Sequence, residues 1–136
     1  MEKKGSNYDY PKPSEGELRI LNVLWRNGPS TVRTVHDELK TVTKVGYTTI
    51  LKLMQIMLEK GLVERREADG RRHIYTAAID CDDVQQRLID DLVSTAFNGS
   101  KRRLVLRLLE NPNVTGDEIS EIRTLLQQIE SKEVEP

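Results

Sequence analysis

Residues 48–78 constrain the fold of this 136-residue chain more than any other segment. Ile50, Leu53, Met54, Met57 and Leu58 recur at i, i+3, i+4, i+7 and i+8, the spacing of one apolar stripe along an α-helix. Thr48, Lys52, Gln55 and Glu59 fall on the opposite side, so the predicted helix turns a polar face outward. Gly61 stands where a helix ends in a left-handed residue. Two β-prone runs follow, residues 62–66 and 71–76, and Asp69-Gly70 between them is a two-residue hairpin signal. A polar-faced helix with a basic-tipped hairpin directly behind it is the layout of a winged helix-turn-helix. That layout points to DNA.

The elements before this segment fit the same plan. Residues 1–13 carry Pro11 and Pro13 and read as a flexible arm, whose early lysines could touch phosphate. Ser14 with Glu17 three residues on is a capping box that opens helix 1, with Leu18, Leu21, Leu24 and Trp25 facing inward. Asn27-Gly28-Pro29 stops it. Ser30 or Thr31 caps helix 2, whose core positions are Val32, Val35 and Leu39; His36 beside them reads as packing or surface. Residues 42–46 form the turn that sets helix 3 across helix 2.

The second half shows no β pattern. Asp80, Asp82 and Asp83 give an acidic start to helix 4, favourable at the positive end of the helix dipole. Val84, Leu88, Ile89, Leu92, Val93 and Ala96 make its apolar face, and Asn98-Gly99-Ser100 ends it. Residues 101–110 form a short helix with Leu104, Val105, Leu108 and Leu109 inside, closed by Asn111-Pro112-Asn113. Thr115 and Glu118 make a second capping box before a last helix. There Ile119, Ile122, Leu126 and Ile129 alternate by three and four residues, a short coiled-coil-like seam. Three short helices with this much aliphatic surface would leave it exposed on a monomer, so the half is expected to pair with a second copy, chiefly through Leu88, Leu92, Ile119, Ile122, Leu126 and Ile129. The expected fold is therefore mainly α with a small β-hairpin wing. The expected parts are a flexible arm over 1–13, a winged-helix head over 14–79 and a helical dimerisation domain over 80–136.

Charge divides along the same line. Residues 1–78 hold 14 Lys/Arg against 10 Asp/Glu, a net of +4, while residues 79–136 hold 7 against 12, a net of −5. A basic half joined to an acidic one fits a domain that meets phosphate beside one that does not. No apolar run reaches the ~18 residues of a membrane span, and the N-terminal residues lack a signal-peptide core, so a cytoplasmic protein without membrane insertion is expected. Cys81 is the only cysteine, which excludes a disulfide framework and a thiolate metal cage. There is no glycine-rich phosphate loop, no His-Glu-x-x-His, and no nucleophile motif with a histidine partner. Neither an enzyme nor a cofactor or metal is expected.

The candidate DNA contacts follow from element ends. Thr48 and Thr49 at the start of helix 3 can meet base edges, and Lys52 one turn on reaches guanine or phosphate. Arg71 and Arg72 at the hairpin tip suit phosphate or minor-groove contact. The same residues also fit an alternative, a winged-helix protein-interaction module that does not read DNA. A ligand-gated regulator of the multiple-antibiotic-resistance type is disfavoured, because those proteins place a dimerisation helix before the head.

From about residue 14 to 133 the chain resembles the penicillinase-repressor family. The residues that carry the resemblance are Glu17-Leu18 through Val23-Leu24-Trp25, Thr31-Val32-Arg33-Thr34-Val35, Tyr47-Thr48-Thr49-Ile50, Lys60-Gly61-Leu62-Val63, Tyr75, and Phe97-Asn98-Gly99-Ser100. The resemblance implies a homodimeric transcriptional repressor on double-stranded DNA with a palindromic operator, and adds Thr31, Arg33 and Tyr47 to the expected DNA contacts. It also implies derepression by a membrane metallopeptidase that cuts in the dimerisation domain. The β-lactam-responsive members are cut at an Asn-Phe bond; here the matching stretch is Ser94-Thr95-Ala96-Phe97-Asn98, which leaves Ala96-Phe97 as the cleavage region. The copper-responsive members carry a C-terminal cysteine cluster, which this chain lacks.

Overall fold

The computed structural model describes residues 9–134. The early lysines Lys3 and Lys4 of the expected arm lie outside the described residues. Internal contacts divide the chain into two compact units, residues 1–87 and 88–136, with the division falling inside one helix.

The first unit begins with α1 (Glu15–Asn27), where both halves of the capping box form: Ser14 Oγ accepts the Glu17 N–H at 3.2 Å, and Glu17 Oε1 accepts the Ser14 N–H at 2.9 Å. Gly28, at φ 83°, ends it. Thr31 caps α2 (Val32–Leu39), its Oγ1 accepting the Thr34 N–H at 3.1 Å. Next comes α3 (Tyr47–Lys60), closed by Gly61 in the left-handed region at φ 81°, ψ 14°. β1 (Val63–Glu67) and β2 (His73–Ala77) then pair antiparallel, Val63 opposite Ala77 and Glu67 opposite His73.

One continuous core joins these elements. Ile20, Leu21, Val23 and Leu24 of α1, Val35 and Leu39 of α2, Ile50, Met54 and Met57 of α3, and Leu62, Val63 and Tyr75 of the hairpin are all buried in it. Burial of such side chains contributes about 1.5–3 kcal/mol each, the dominant favourable term here. The expected stripe on α1 needs correction: Ile20 and Val23 are fully inside, whereas Leu18 and Trp25 are only half-buried. Trp25 lies at the edge because its indole N–H must reach a partner, the Ile79 carbonyl at 3.1 Å.

The hairpin turn also differs from expectation. Asp69-Gly70 is not a two-residue turn; residues Asp69–Arg71 form a three-residue loop closed by the Ala68 N–H on the Arg72 carbonyl at 2.7 Å. Gly70 and Arg71 both sit at φ 70°. A glycine takes that conformation freely, and the arginine after it is strained. The α1–α2 link holds a contact with no sequence signature. Ser30 pairs with Tyr75 through two backbone hydrogen bonds of 3.0 and 2.8 Å, which adds a one-residue bridge to the wing.

The next helix is α4 (Cys81–Ala96), capped by Asp80, whose Oδ2 accepts the Asp83 N–H at 3.1 Å. In the second unit, Asn98 at φ 53° and Gly99 at φ 83° turn the chain into α5 (Lys101–Glu110), capped by Ser100. The capping box of Thr115 and Glu118 opens α6 (Gly116–Val134), with hydrogen bonds of 2.9 and 3.1 Å. Val105 and Leu108 are not inside as expected but exposed, because α5 of a single chain is covered on only part of its surface; Leu104 and Leu109 are half-buried. Among the described residues of this unit, Val93 alone is buried. Among the described residues, no helix is long and apolar enough to cross a membrane.

Candidate nucleic-acid interface

The site is built on three element ends. The start of α2 presents Thr31 and Arg33, the start of α3 presents Tyr47, and the wing presents Arg71 and Arg72. These five expected residues line one cleft of about 550 Å³ between helices and wing. Its floor is apolar, made by Val32, Leu51 and Tyr75. Thr48, Thr49 and Lys52 lie outside the cleft, exposed on the outer face of α3. The eight expected residues thus form a cationic cleft and a polar helix face rather than one cluster.

Sequence reading missed three members of the cleft, Gln55, Arg65 and His73. Gln55 was legible as a polar outer position of α3, two turns beyond Thr48. Arg65 reaches the cleft because it stands opposite Tyr75 in the register, a pairing with no local signal. His73 opens β2, and only the three-dimensional closure of the wing brings it to the cleft.

Electrostatics here are one-sided. Arg33, Arg65, Arg71 and Arg72 line the cleft, and among the described residues no acidic side chain does. Tyr47, 40% exposed, is held between two neighbours on α2. The Arg33 guanidinium carbon lies 5.5 Å from its ring centre, and the His36 ring meets it edge-on at 5.8 Å. An arginine over an aromatic face keeps its donors available at the rim while the ring orients the plane. Arranged this way, the cleft can take a polyanionic backbone, and the α3 face beside it can present hydroxyl, ammonium and amide groups to base edges.

A partly buried ion pair holds the head that carries this surface. Glu17 is 2% exposed, and its Oε2 accepts Lys60 Nζ at 2.8 Å while Oε1 serves the α1 cap. Burial by itself pushes the carboxyl upward, but the hydrogen bonds from Lys60 and Ser14 and the Lys60 charge outweigh it, and the net direction is below the ordinary glutamate value. The sequence shows Glu17 as a cap alone; its tie to the end of α3, 43 residues on, has no local signal.

The sequence profile of the family described as Penicillinase repressor matches residues 13–128, most of the chain. The chain belongs to the penicillinase-repressor family. It is 26% identical over 125 residues to the Penicillinase repressor of Bacillus licheniformis, covering 92% of this chain and 97% of that one. Transcriptional regulator BlaI of Mycobacterium tuberculosis is 30% identical over 117 residues, covering 85% of this chain and 83% of the relative. Members of this family are transcriptional repressors, not enzymes. Among solved structures, a single-substitution mutant of MarR from E. coli, complexed with operator DNA, overlays with a TM-score of 0.51 at 18% identity, over 85% of this chain and 74% of that one. At that identity the likeness bears on the fold alone: a mainly helical chain with a winged helix.

Proposed function

We propose that this penicillinase-repressor family member is a cytoplasmic, sequence-specific DNA-binding repressor that acts as a homodimer on a palindromic operator. The observation that carries the reading is the convergence of Thr31, Arg33, Tyr47, Arg71 and Arg72 on one cleft beside the exposed Thr48, Thr49 and Lys52. In this reading the cleft grips phosphates and the outer face of α3 enters the major groove. The relatives named as a penicillinase repressor and as a transcriptional regulator support it, and a module built only to bind protein has no need of an acid-free cleft with four arginines.

Homodimerisation rests on the second unit. Leu126 and Ile129 are 55% and 56% exposed, Leu92 and Ile119 are also exposed, and Leu88 and Ile122 are half-buried. Leu125, which the seam spacing passed over, is exposed as well and lines an apolar groove of about 300 Å³ between α5 and α6 with Leu108, Leu109, Val114 and Ile122. A unit with a single buried residue among those described has its core still to make, and a second copy supplies it. The functional parts proposed are an arm over 1–13, a head over 14–79 and a pairing half over 80–136. Derepression follows when a membrane metallopeptidase cuts near Ala96 and Phe97, at the close of α4. The turn there is held by the Gly99 N–H on the Val93 carbonyl at 2.8 Å, so the cut requires that turn to open first.

Operator binding tested by gel shift across salt decides the reading. With ~6–10 phosphate contacts, a dimer loses about 10³–10⁵ in affinity between 50 and 200 mM salt. Binding that is indifferent to salt, or equal on operator and random DNA at physiological salt, overturns it.

A further inference from the structure

The cleft of the head has two chemically distinct zones, and a phosphate grip uses only one of them. Its rim is cationic: Arg33, Arg65, Arg71 and Arg72 are all exposed, and among the described residues no carboxylate lines the cleft. Its floor is Val32, Leu51 and Tyr75; Val32 and Tyr75 are buried, and Leu51 is half-buried against the core. An anion gains nothing from such a floor, because leaving water there costs it free energy. An apolar body gains from all of that surface it covers. The volume, about 550 Å³, falls in the range of about 300–1,000 Å³ that pockets for small molecules occupy. The apolar groove between α5 and α6 differs in sign, since Glu118 and Glu121 line it.

We propose that the cleft is also the binding site of a small aromatic anion, a flat apolar body carrying a phosphate or carboxylate, and that its occupancy excludes DNA from the head. The exclusion rests on the DNA reading above; the binding does not. The body covers Leu51 and Tyr75, and its flat face stacks on a guanidinium plane as the Tyr47 ring already does with Arg33, at 5.5 Å. The anionic head takes charge-assisted hydrogen bonds from the rim arginines, paired ones where a guanidinium meets it squarely. Thr31 and Gln55 add neutral hydrogen-bonding groups beside them. Those arginines are the ones proposed to hold the DNA backbone, so ligand and operator compete for the same charges. Each head then loses operator affinity by the factor 1 + [L]/Kd, a reversible release that leaves the chain uncut.

The test uses the full chain and 1-naphthyl phosphate, with inorganic phosphate as the head without a body and 1-naphthol as the body without a head. Amide NMR titration should show saturable binding of 1-naphthyl phosphate with a Kd of about 0.1–1 mM, its shifts grouped at residues 31–33, 47–55, 65 and 71–75. Inorganic phosphate and 1-naphthol should each bind there about tenfold more weakly or worse. Arg65→Gln, at an exposed strand position, should weaken 1-naphthyl phosphate about 3–10-fold. Leu51→Gln should weaken it by a similar factor of about 3–10 and leave inorganic phosphate unchanged, which a purely electrostatic rim would not do. Equal affinity for 1-naphthyl phosphate and inorganic phosphate overturns the proposal, as do shifts confined to the α5–α6 groove, residues 108–125. Operator titration with 1-naphthyl phosphate at about ten times its Kd should show affinity about tenfold lower per head than in the same concentration of inorganic phosphate. Cleft binding with operator affinity unchanged overturns the exclusion, and with it the placement of DNA over the cleft. Salt-dependent operator binding without any cleft binding of 1-naphthyl phosphate overturns this inference alone.

Discussion

Glu17 joins two element ends through one carboxylate, and its energetics follow from that. One oxygen completes the α1 cap and the other holds Lys60. Because the folded state lowers its pKa, Glu17 contributes stability above its unfolded value of about 4.3, and loses it as pH falls through that value and below. Glu17→Gln should cost about 1–3 kcal/mol at pH 7, toward the lower end because the Lys60 side chain is 37% exposed. Urea unfolding at pH 7 and pH 3 should show the gap between wild type and variant narrowing in acid; a gap of equal size at both would refute the ion-pair account. At the interface, the two groups of residues should behave differently. Thr48→Ala or Thr49→Ala should cost about 1–3 kcal/mol on the cognate operator and relax preference at one position per half-site. Arg72→Ala should weaken all sequences alike and reduce the salt slope by about one per head. Threonine variants that lose cognate and random binding equally would show that α3 does not read bases.

Element ends decide both what this chain shows in sequence and what it hides. The capping boxes at Ser14/Glu17 and Thr115/Glu118, the Thr31 cap and the left-handed Gly61 were legible because each is a local hydrogen-bonding or φ requirement met within a few residues. The helical stripes of α2 and α3 were legible for the same local reason. What was not legible depends on distant partners: the Ser30–Tyr75 bridge, the Glu17–Lys60 pair and the arrival of Arg65 and His73 at the cleft. The wing turn departs from its signal for a subtler cause. Asp-Gly favours a two-residue turn, yet Arg71 takes a second left-handed position and lengthens it to three. Gly70→Val should therefore add about 1–2 kcal/mol of backbone strain at the tip, since nothing else crowds that glycine. Affinity should fall on operator and random DNA alike, with helical circular dichroism unchanged. A loss confined to the cognate operator would assign the wing to base reading.

At the scale of the whole molecule the two units are unequal, one with a closed core and one with almost none. The first holds its hydrophobic cluster within residues 20–75 and Val84 besides, so a fragment of residues 1–87 should fold by itself and remain monomeric. The second exposes Leu92, Leu125, Leu126 and Ile129, and its only fully covered residue among those described is Val93. If the second half pairs as proposed, Leu126→Asp in the full chain would place an uncompensated charge in that surface, at a cost of several kcal/mol to the dimer. Joining two heads raises affinity through effective concentration alone, so the 1–87 fragment should bind one half-site as the full chain does and lose about 10²–10⁴ on the whole operator. The proposed cut at Ala96-Phe97 would act through the same arithmetic. It removes α5 and α6 with most of the exposed aliphatic surface, and leaves every residue of the cleft intact on the head. Derepression by such a cut is then loss of the link and not of recognition. Sedimentation of the full chain, the 1–87 fragment and Leu126→Asp, each followed by binding to one and to two half-sites, measures this directly. A monomeric full-length chain, or a fragment that holds the whole operator as tightly as the intact protein, would show that the second half does not act by pairing the heads.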